Sequence, residues 1–290
     1  MILRAACFCL CLLTATPLWA AEVFRWSHDD DRFGGWSGLW LSPDGSTLKA
    51  VSDRGRFAEA QITREGGRIA GVSLSRLGDI AEREGRTAPG GFLQDAEALT
   101  ITEDGRIFIA FEGHHRVRRW RDFEKTPVML HPFKFFYHLQ VNSGFEALAS
   151  DADGTLYAIP ERSGQWTKPF PVWRYRDGGW DDDLSLPRSE KFLVADAHFG
   201  PDGRLYVLER EFVWYAGFRS RLRRFALGPE GFGSEEVLWR SRFGAYDNLE
   251  GLAVWRKADG TLRATMISDD NFSPLQATYL VEIDLPDAAE

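Results

Sequence analysis

The feature that most limits how this 290-residue chain can fold is a degenerate repeat built around Asp-Gly turns. In each copy an apolar strand leads into Asp-Gly, a second strand follows, and an acidic residue stands near the end of that second strand. Asp-Gly supplies the positive φ angles of a tight hairpin, and the apolar flanks are typical of buried strands. The five copies span residues 36–55, 95–113, 144–163, 195–211 and 248–271.

The spacing of these turns predicts an all-β fold, a β-propeller. The turn aspartates are Asp44, Asp104, Asp153, Asp202 and Asp259, which are 60, 49, 49 and 57 residues apart. One four-stranded blade takes about 45–50 residues, so about 270 residues predict five or six blades. We favour six, because residues 64–77 read as a further hairpin, and five is the alternative. A β-sandwich or two small β domains would need a linker, and no Pro/Gly/Ser-rich segment separates the halves.

The two ends of the predicted propeller are both strand-like, at residues 23–26 and 277–285. We expect them to share one blade and close the ring, because closure removes exposed strand edges. Residues 1–20 have a positive residue, a short apolar core and a small-residue cleavage point, as in a secretion signal. We therefore predict a signal peptide at 1–20, a single propeller domain at 21–290, and a periplasmic or secreted mature protein.

Composition narrows the function classes. The formal net charge of −8 argues against a nucleic-acid partner, because phosphate binding needs a basic face. All three cysteines, Cys7, Cys9 and Cys11, lie in the leader, so the mature chain is expected to have no thiolate metal site and no cysteine nucleophile. No later segment is apolar enough to cross a membrane. The Gly-x-Ser-x-Gly, P-loop, dinucleotide and His-Glu-x-x-His motifs do not occur.

Taken in order, the repeats resemble the phytase-like family ("esterase-like activity of phytase") of secreted bacterial propellers. The matching segments include GGWSGLWLSPDG, LQDAEALTITEDGRIFIAFE, NSGFEALASDADGTLYAIPERS, DNLEGLAVW and ISDDNFSPLQATYL. The resemblance covers essentially the whole mature chain and implies an esterase or phosphoesterase activity. The Glu-Gly-Leu step associated with the family remains at Glu250-Gly251-Leu252, and alanine replaces the glycine at Ala98 and Ala147.

Aligning the repeats gives two sets of acidic residues. The first set begins the leading strand and comprises Glu97, Glu146, Asp196 and Glu250, with Gly38 at the equivalent place in the first copy. The second set ends the following strand and comprises Asp53, Glu112, Glu161, Glu209 and Asp269. Equivalent positions in successive blades converge on the propeller axis, so several carboxylates are expected near one mouth of the central channel.

Crowded carboxylates raise one another's pKa or require a cation, and hard oxygen ligands select calcium, or magnesium less readily. We predict a divalent cation, expected to be calcium, bound by members of the group Glu97, Glu146, Glu250 and Asp269. The amides of Asn142, Asn248 and Asn271 are further oxygen donors. The alternative interpretation is that the acidic residues cap turns or pair with arginines.

Arginines follow three members of the second set, at Arg54, Arg162 and Arg210. Pairing within each dipeptide is not expected, because strand neighbours face opposite ways. A guanidinium binds phosphate or carboxylate in bidentate fashion, so these residues fit a small anionic ester as substrate. The catalytic candidates are Glu146, Glu250, Arg162 and Arg210.

Two functional hypotheses remain. The first is an exported, metal-dependent hydrolase of phosphate or carboxylic esters, or of lactones. The second is a non-catalytic periplasmic propeller that binds a ligand or protein partner, with calcium only structural and the aromatic segment 211–218 as its recognition surface. His114, His115 and His198 are candidate general bases, although a solvated loop is the alternative for the first two.

Overall fold

The computed structural model describes residues 21–83, 86–87, 94–112, 114–131, 136 and 144–288. The predicted signal peptide and Asn142 lie outside the described residues. The described part of the chain contains only strands, turns and one short 3₁₀ position, as the repeat predicted. Among these residues, no helix has the length and apolar character that crossing a membrane requires.

Twenty-two strands are found in the described ranges. In chain order they are β1 (Glu22–Arg25), β2 (Trp36–Leu41), β3 (Thr47–Ser52), β4 (Arg56–Glu65), β5 (Arg68–Asp79), β6 (Ala81–Arg83), β7 (Arg86–Thr87), β8 (Ala96–Ile101), β9 (Ile107–Phe111), β10 (Arg116–Trp120), β11 (Val128–Met129), β12 (Phe145–Ser150), β13 (Leu156–Pro160), β14 (Phe170–Arg176), β15 (Gly179–Leu186), β16 (Leu193–Phe199), β17 (Leu205–Val213), β18 (Gly217–Gly228), β19 (Gly231–Arg240), β20 (Asn248–Arg256), β21 (Leu262–Asp269) and β22 (Tyr279–Asp284).

These strands form five four-stranded antiparallel sheets, counted over the described residues, and the sheets are the blades of a propeller. Blade 1 is β2–β5, blade 2 is β8–β11, blade 3 is β12–β15, blade 4 is β16–β19, and blade 5 is β20, β21, β22 and β1. The innermost strands β2, β8, β12, β16 and β20 are neighbours around the axis, and β20 returns to β2. The β-propeller prediction is confirmed, with the five blades that were the alternative to six.

The segment that suggested a sixth blade belongs to blade 1. Residues 64–77 lie in β4 and β5, the two outer strands of that blade, which pair from Arg56 with Asp79 to Glu65 with Arg68. The first gap between turns is longer because these strands are long and because the small β6–β7 sheet precedes blade 2. A hairpin next to an incomplete sheet becomes its outer pair, since this covers the edge of the preceding strand.

The ring closes through the two ends of the chain. Strand β1 pairs antiparallel with β22, with Val23 opposite Val281 and Phe24 opposite Leu280. The prediction that the ends share one blade is confirmed. The hairpin prediction is confirmed as well, because the glycine of each Asp-Gly turn has a positive φ, from 68° at Gly45 to 90° at Gly260.

The hydrophobic core lies between neighbouring blades rather than in one central mass. Each of five clusters joins residues of two adjacent blades, as where Trp36 of blade 1 packs with Trp255 and Ile267 of blade 5. Small residues let the inner strands approach: a Cβ on Gly251 would lie 2.9 Å from the backbone nitrogen of Leu39. The inner strands of blades 1 and 5 therefore lie in close contact.

Candidate functional site

Every inner strand carries a β-bulge at the same level, where it begins at the mouth of the channel. A bulge places two residues opposite one on the partner strand and redirects a side chain. The extra residues are Ser37, Glu97, Glu146, Ala195 and Glu250. Three of the five blades therefore direct a glutamate from this level, in agreement with the first set read from the sequence.

The assignment of Asp196 and Gly38 to that level was wrong by one residue. Asp196 follows the bulge in blade 4 and is fully buried, and its carboxylate accepts hydrogen bonds from the backbone N–H of Ala197 (2.8 Å) and Leu252 (2.7 Å). It therefore ties blade 4 to blade 5 and takes no part in the mouth. Burial raises its pKa well above the ordinary value. The sequence alignment grouped Asp196 with Glu97, Glu146 and Glu250 because it is acidic, and the position of the bulge cannot be recognised from the sequence.

In blade 4 the assignment of the second acidic set was also wrong by one residue. In that blade Leu193 pairs with Arg210, whereas in blade 5 the corresponding Asn248 pairs with Asp269. Arg210 is thus the equivalent of the acidic residues of the other blades, and Glu209 lies one residue earlier. Glu209 is fully buried, and its carboxylate accepts hydrogen bonds from Arg221 (2.7 Å) and Arg223 (2.7 and 2.8 Å). Glu209 therefore has a structural role, and the positively charged side chain of Arg210 occupies its expected place at the mouth.

Arg210, in blade 4, contacts carboxylates of the two neighbouring blades, 3 and 5. Its guanidinium contacts Glu250 of blade 5 directly and lies 3.6 Å from Glu146 and 3.5 Å from Glu161 of blade 3. It also donates to Oδ1 of Asn248 (3.1 Å), whose Nδ2 donates to Glu250 (2.7 Å). The structure therefore brings together three of the four predicted catalytic residues.

A second group of carboxylates lies at the start of blade 2. Oxygens of Asp95, Glu97 and Glu112 all lie within 4.8 Å of one another. Glu112 also accepts a hydrogen bond from the backbone N–H of Gly144 (3.1 Å), which fixes it against blade 3. Asp95 was missed as a ligand, although it directly precedes the strand that carries Glu97. Burial, followed by the charges of Glu146 and Asp95, raises the pKa of Glu97 well above its usual range.

Asp269 lies on the blade 5 side of the mouth, with Asp53 and Asp270 as its charged acidic neighbours. Its Oδ1 accepts a hydrogen bond from the backbone N–H of Asn271 (2.7 Å). Of the other predicted ligands, Glu97 groups with Asp95 and Glu112, whereas Glu146 and Glu250 contact Arg210. The four predicted metal ligands therefore lie at the same channel mouth but are divided among three groups of contacts.

Burial dominates the electrostatics of this mouth. It raises the pKa of Glu146 to about 8, against the opposing effect of Arg210 and with the help of Glu161, Glu112 and Asp95. Burial and the neighbouring charges of Asp53 and Asp270 raise the pKa of Asp269 to about 7. Burial likewise raises the pKa of Asp53 to about 6. At neutral pH Glu146 is therefore mostly protonated, Asp269 about half protonated and Asp53 mostly ionised, and a bound cation would favour the charged form of all three.

The remaining candidates lie at the margin. Arg162 is 52% exposed and its Nε lies 2.7 Å from Glu161, so the expectation that such neighbours do not pair was wrong here. Both residues follow the end of β13, where strand alternation no longer applies. Half-buried His198 accepts a hydrogen bond from the N–H of Val254 (3.3 Å), and desolvation lowers its pKa to about 4. A general base is not expected there, because a group with this pKa binds a proton weakly at neutral pH.

The donor set fits a hard divalent cation. The oxygens of Asp95, Glu97 and Glu112 are close enough to share one ion, and carboxylate oxygen favours calcium or magnesium over softer metals. Burial raises the pKa of Glu97, with the charges of Glu146 and Asp95 acting in the same direction, and a bound cation would lower it again. Asn248 is less suitable as a ligand than the sequence suggested, because its Oδ1 already accepts from Arg210.

Solved structures share this fold at low sequence identity. An α-L-arabinofuranosidase from Podospora anserina, solved in complex with cellotriose, is 9% identical, with 93% of this chain and 98% of that chain covered and a TM-score of 0.56. The PQQ-bound aldose sugar dehydrogenase of Streptomyces coelicolor is 11% identical, with 93% and 100% covered and a TM-score of 0.48. Among curated proteins none matches. The family model described as "Esterase-like activity of phytase" matches residues 31–272, and the chain therefore belongs to the phytase-like family.

Proposed function

We propose that the protein is an exported, metal-dependent hydrolase of phosphate or carboxylic esters, with its active site at the channel mouth. The observation that carries this proposal is the position of Arg210, an anion-binding group surrounded by Glu146, Glu161 and Glu250, close to the carboxylates of blade 2. The family description supports an ester substrate. Export is proposed from the leader at residues 1–20.

Asp95, Glu97 and Glu112 would hold the cation, with calcium the expected ion, and Glu146 of blade 3 would lie beside it without being a ligand. A hard divalent cation supplies Lewis-acid polarisation of an ester oxygen. Glu250 contacts Arg210, and the charge of Arg210 also opposes the rise in the pKa of Asp269, so this arginine acts on both carboxylates.

Arg210 is proposed to hold the anionic part of the substrate. Its fork of N–H groups now contacts carboxylates of two blades, and an incoming phosphate or carboxylate would exchange with them. The side chain is anchored by Asn248, so the guanidinium keeps its position while the partner changes. Exposed Arg162 would attract the same anion from solvent at the rim.

Glu146 is the proposed general base. Once deprotonated, its carboxylate accepts a proton from water as the water oxygen bonds to the phosphorus or carbonyl carbon of the ester. The ester bond to the alcohol oxygen then breaks, and the proton passes from Glu146 to that oxygen. A pKa of about 8 suits this exchange, because proton transfer is most effective when the base titrates near the working pH.

One observation favours the alternative, a propeller that binds without catalysis. The end of the hairpin formed by β17 and β18 presents Phe212, Trp214 and Tyr215 with 59, 84 and 75% of their surfaces exposed. Exposed aromatic groups of this size mark binding surfaces more often than isolated apolar residues do. In this case calcium would stabilise the ring and hydrolysis would be absent.

Calcium titration of the mature protein separates the two candidates. Melting temperature and hydrolysis of a panel of small phosphate and carboxylic esters are measured together, for the wild type, Glu97→Gln, Glu112→Gln, Glu146→Gln and the exposed control Glu230→Gln. The hydrolase predicts that calcium raises both readouts in the wild type and in the control. Loss of calcium stabilisation is expected in Glu97→Gln and Glu112→Gln, and loss of turnover in Glu146→Gln. Stabilisation without turnover would identify the binding propeller, and no response in either readout would exclude the metal site.

A further inference from the structure

A cavity of about 530 Å³ lies beside the mouth, between the hairpin of β17 and β18 and the loop that leads into blade 5. Its lining includes Phe218, Tyr246, Leu275 and Tyr279 as apolar or aromatic groups, and Asp247 and Gln276 as polar groups. No Lys, Arg or His occurs among the described lining residues. An apolar cavity with a few convergent polar groups is the usual form of a small-molecule site.

The polar side of this cavity is held in place. Oδ1 of Asp247 accepts hydrogen bonds from Nε2 of Gln276 (2.6 Å) and from the backbone N–H of Asn248 (3.0 Å). The carboxylate is therefore oriented before any ligand arrives. Such fixed polar groups give orientation and specificity to a ligand, because little conformational freedom is lost on binding.

The apolar side is also built from neighbouring elements. The ring of Tyr246 packs against Trp239 with centroids 5.7 Å apart. The backbone N–H of Gly244 donates to the carbonyl of Phe218 (2.8 Å), which joins the loop to the hairpin. Leu275 is 94% exposed at the rim and adds an apolar group to the entrance.

The chemistry of the lining restricts the ligand. A purely hydrocarbon ligand would cover the carboxylate of Asp247 without replacing its hydrogen bonds to water, which costs free energy. An anionic ligand would meet a carboxylate and no cation. A neutral sugar ring avoids both costs, because it offers an apolar C–H face to the tyrosines and hydroxyl donors to Asp247 and Gln276.

We propose that this cavity binds a neutral saccharide. The site is separate from the proposed hydrolysis and needs neither the cation nor Arg210. It adjoins the mouth, because Asp247 is followed by Asn248, whose side chain contacts both Arg210 and Glu250. A saccharide in the cavity lies next to the acidic channel.

Saturation-transfer NMR tests the proposal on the mature protein in the presence of a chelator. The probes are methyl β-glucopyranoside, methyl β-galactopyranoside and cellobiose, with glucose 6-phosphate and n-hexanol as comparison ligands. We expect transfer to the ring C–H protons of at least one neutral sugar and weaker transfer to glucose 6-phosphate. Gln276→Ala and Leu275→Asp are each expected to raise the dissociation constant for the sugar about tenfold. The matched control Val128→Asp changes a 50%-exposed residue of blade 2 and should leave binding unchanged.

Three outcomes would overturn the proposal: no transfer to any neutral sugar, preferred binding of a comparison ligand, or sugar binding that neither cavity variant weakens. Glucose 6-phosphate is compared in Arg210→Gln, which removes the anion-binding group of the mouth, and n-hexanol is compared in the wild type. Failure of the hydrolase proposal remains distinguishable, because the binding experiment contains chelator and measures no turnover. Glu146→Gln, which is expected to abolish hydrolysis, should bind the sugar as the wild type does.

Discussion

The guanidinium of Arg210 contacts the carboxylate of Glu250, and this contact joins the inner edge of blade 4 to that of blade 5. It exists because blade 4 differs from the others. In blade 4, Arg210 occupies a position near the end of the second strand that is acidic in the other four blades. The acidic residues at this position are Asp53, Glu112, Glu161 and Asp269 in blades 1, 2, 3 and 5. One cation among carboxylates limits their mutual repulsion and leaves a group that an anionic substrate would engage.

Substitution of Arg210 tests its proposed role in substrate binding. For an anionic ester, we expect kcat/KM to fall about 10–100-fold in Arg210→Gln, because a hydrogen bond between charged groups contributes about 1.5–3 kcal/mol. Arg210→Lys should recover part of the loss, since it restores the charge without the fork. Steady-state kinetics with an anionic and a neutral ester provide the measurement. The control Arg106→Gln alters an exposed pair with Asp104, and losses of equal size in both arginine variants would contradict the assignment.

The pKa values of the mouth predict how stability depends on pH. Folding raises the pKa of Glu146 to about 8 and that of Asp269 to about 7, so the folded state binds more protons than the unfolded state between pH 6.5 and 8.5. With chelator present, the free energy of unfolding should therefore fall as the pH rises through this window. His198 acts in the opposite direction near pH 6.5, because its folded pKa of about 4 lies below its ordinary value of 6.5, and its contribution is complete by about pH 7.5.

Calcium should reverse this trend, because it binds the deprotonated carboxylates and releases their protons. Urea denaturation at pH 6.5, 7.5 and 8.5, with and without calcium, measures both effects. The double variant Glu146→Gln/Asp269→Asn should show a flatter dependence in chelator. A metal-free wild type whose stability rises with pH in this window would show that the carboxylates are already ionised.

The buried network of blade 4 is expected to be essential for stability. Glu209→Ala would leave the fully buried guanidinium groups of Arg221 and Arg223 without their carboxylate, at a cost of about 3–5 kcal/mol. Glu235 also pairs with Arg223, at 2.9 Å, but its side chain is 32% exposed. Glu235→Ala is therefore expected to cost about 1 kcal/mol or less. Urea unfolding of the two variants compares them directly, and similar losses would argue against the burial effect.

The approach of blades 1 and 5 at the axis depends on Gly251. A Cβ there would lie 2.7 Å from the Leu39 Cβ and 2.9 Å from the Leu39 backbone nitrogen, so neither strand has room for it. Gly251→Ala is expected to destabilise the protein by about 1–3 kcal/mol. Gly233→Ala is the matched control, because no atom lies within 4 Å of its added Cβ, and it should change stability by about 0.5 kcal/mol or less. Thermal melting compares the two variants, and an unchanged melting temperature in Gly251→Ala would show that the inner strands can separate.

The order of repeats was sufficient to predict the propeller, since Asp-Gly turns and apolar strands act locally. Gly45 and Gly260 adopt positive φ angles for that reason, and β1 meets β22 because an unpaired edge strand is unfavourable. The convergence of Glu97, Glu146 and Glu250 on one mouth also followed from the sequence, because equivalent positions of successive blades face one axis.

Only the tertiary structure decided which charged residues face that axis in blade 4. All five inner strands carry the same bulge, but in blade 4 Asp196 and Glu209 lie one residue away from the positions that face the mouth, which Ala195 and Arg210 occupy. These positions depend on how the strands pair rather than on a local motif. The closeness of Asp95 to Glu112 was equally hidden, because it depends on the pairing of separate strands. The sequence by itself determined the architecture and the acidic mouth. The pairing of strands decided that the positively charged Arg210 faces that mouth, because a shift of one residue turns a side chain to the opposite face.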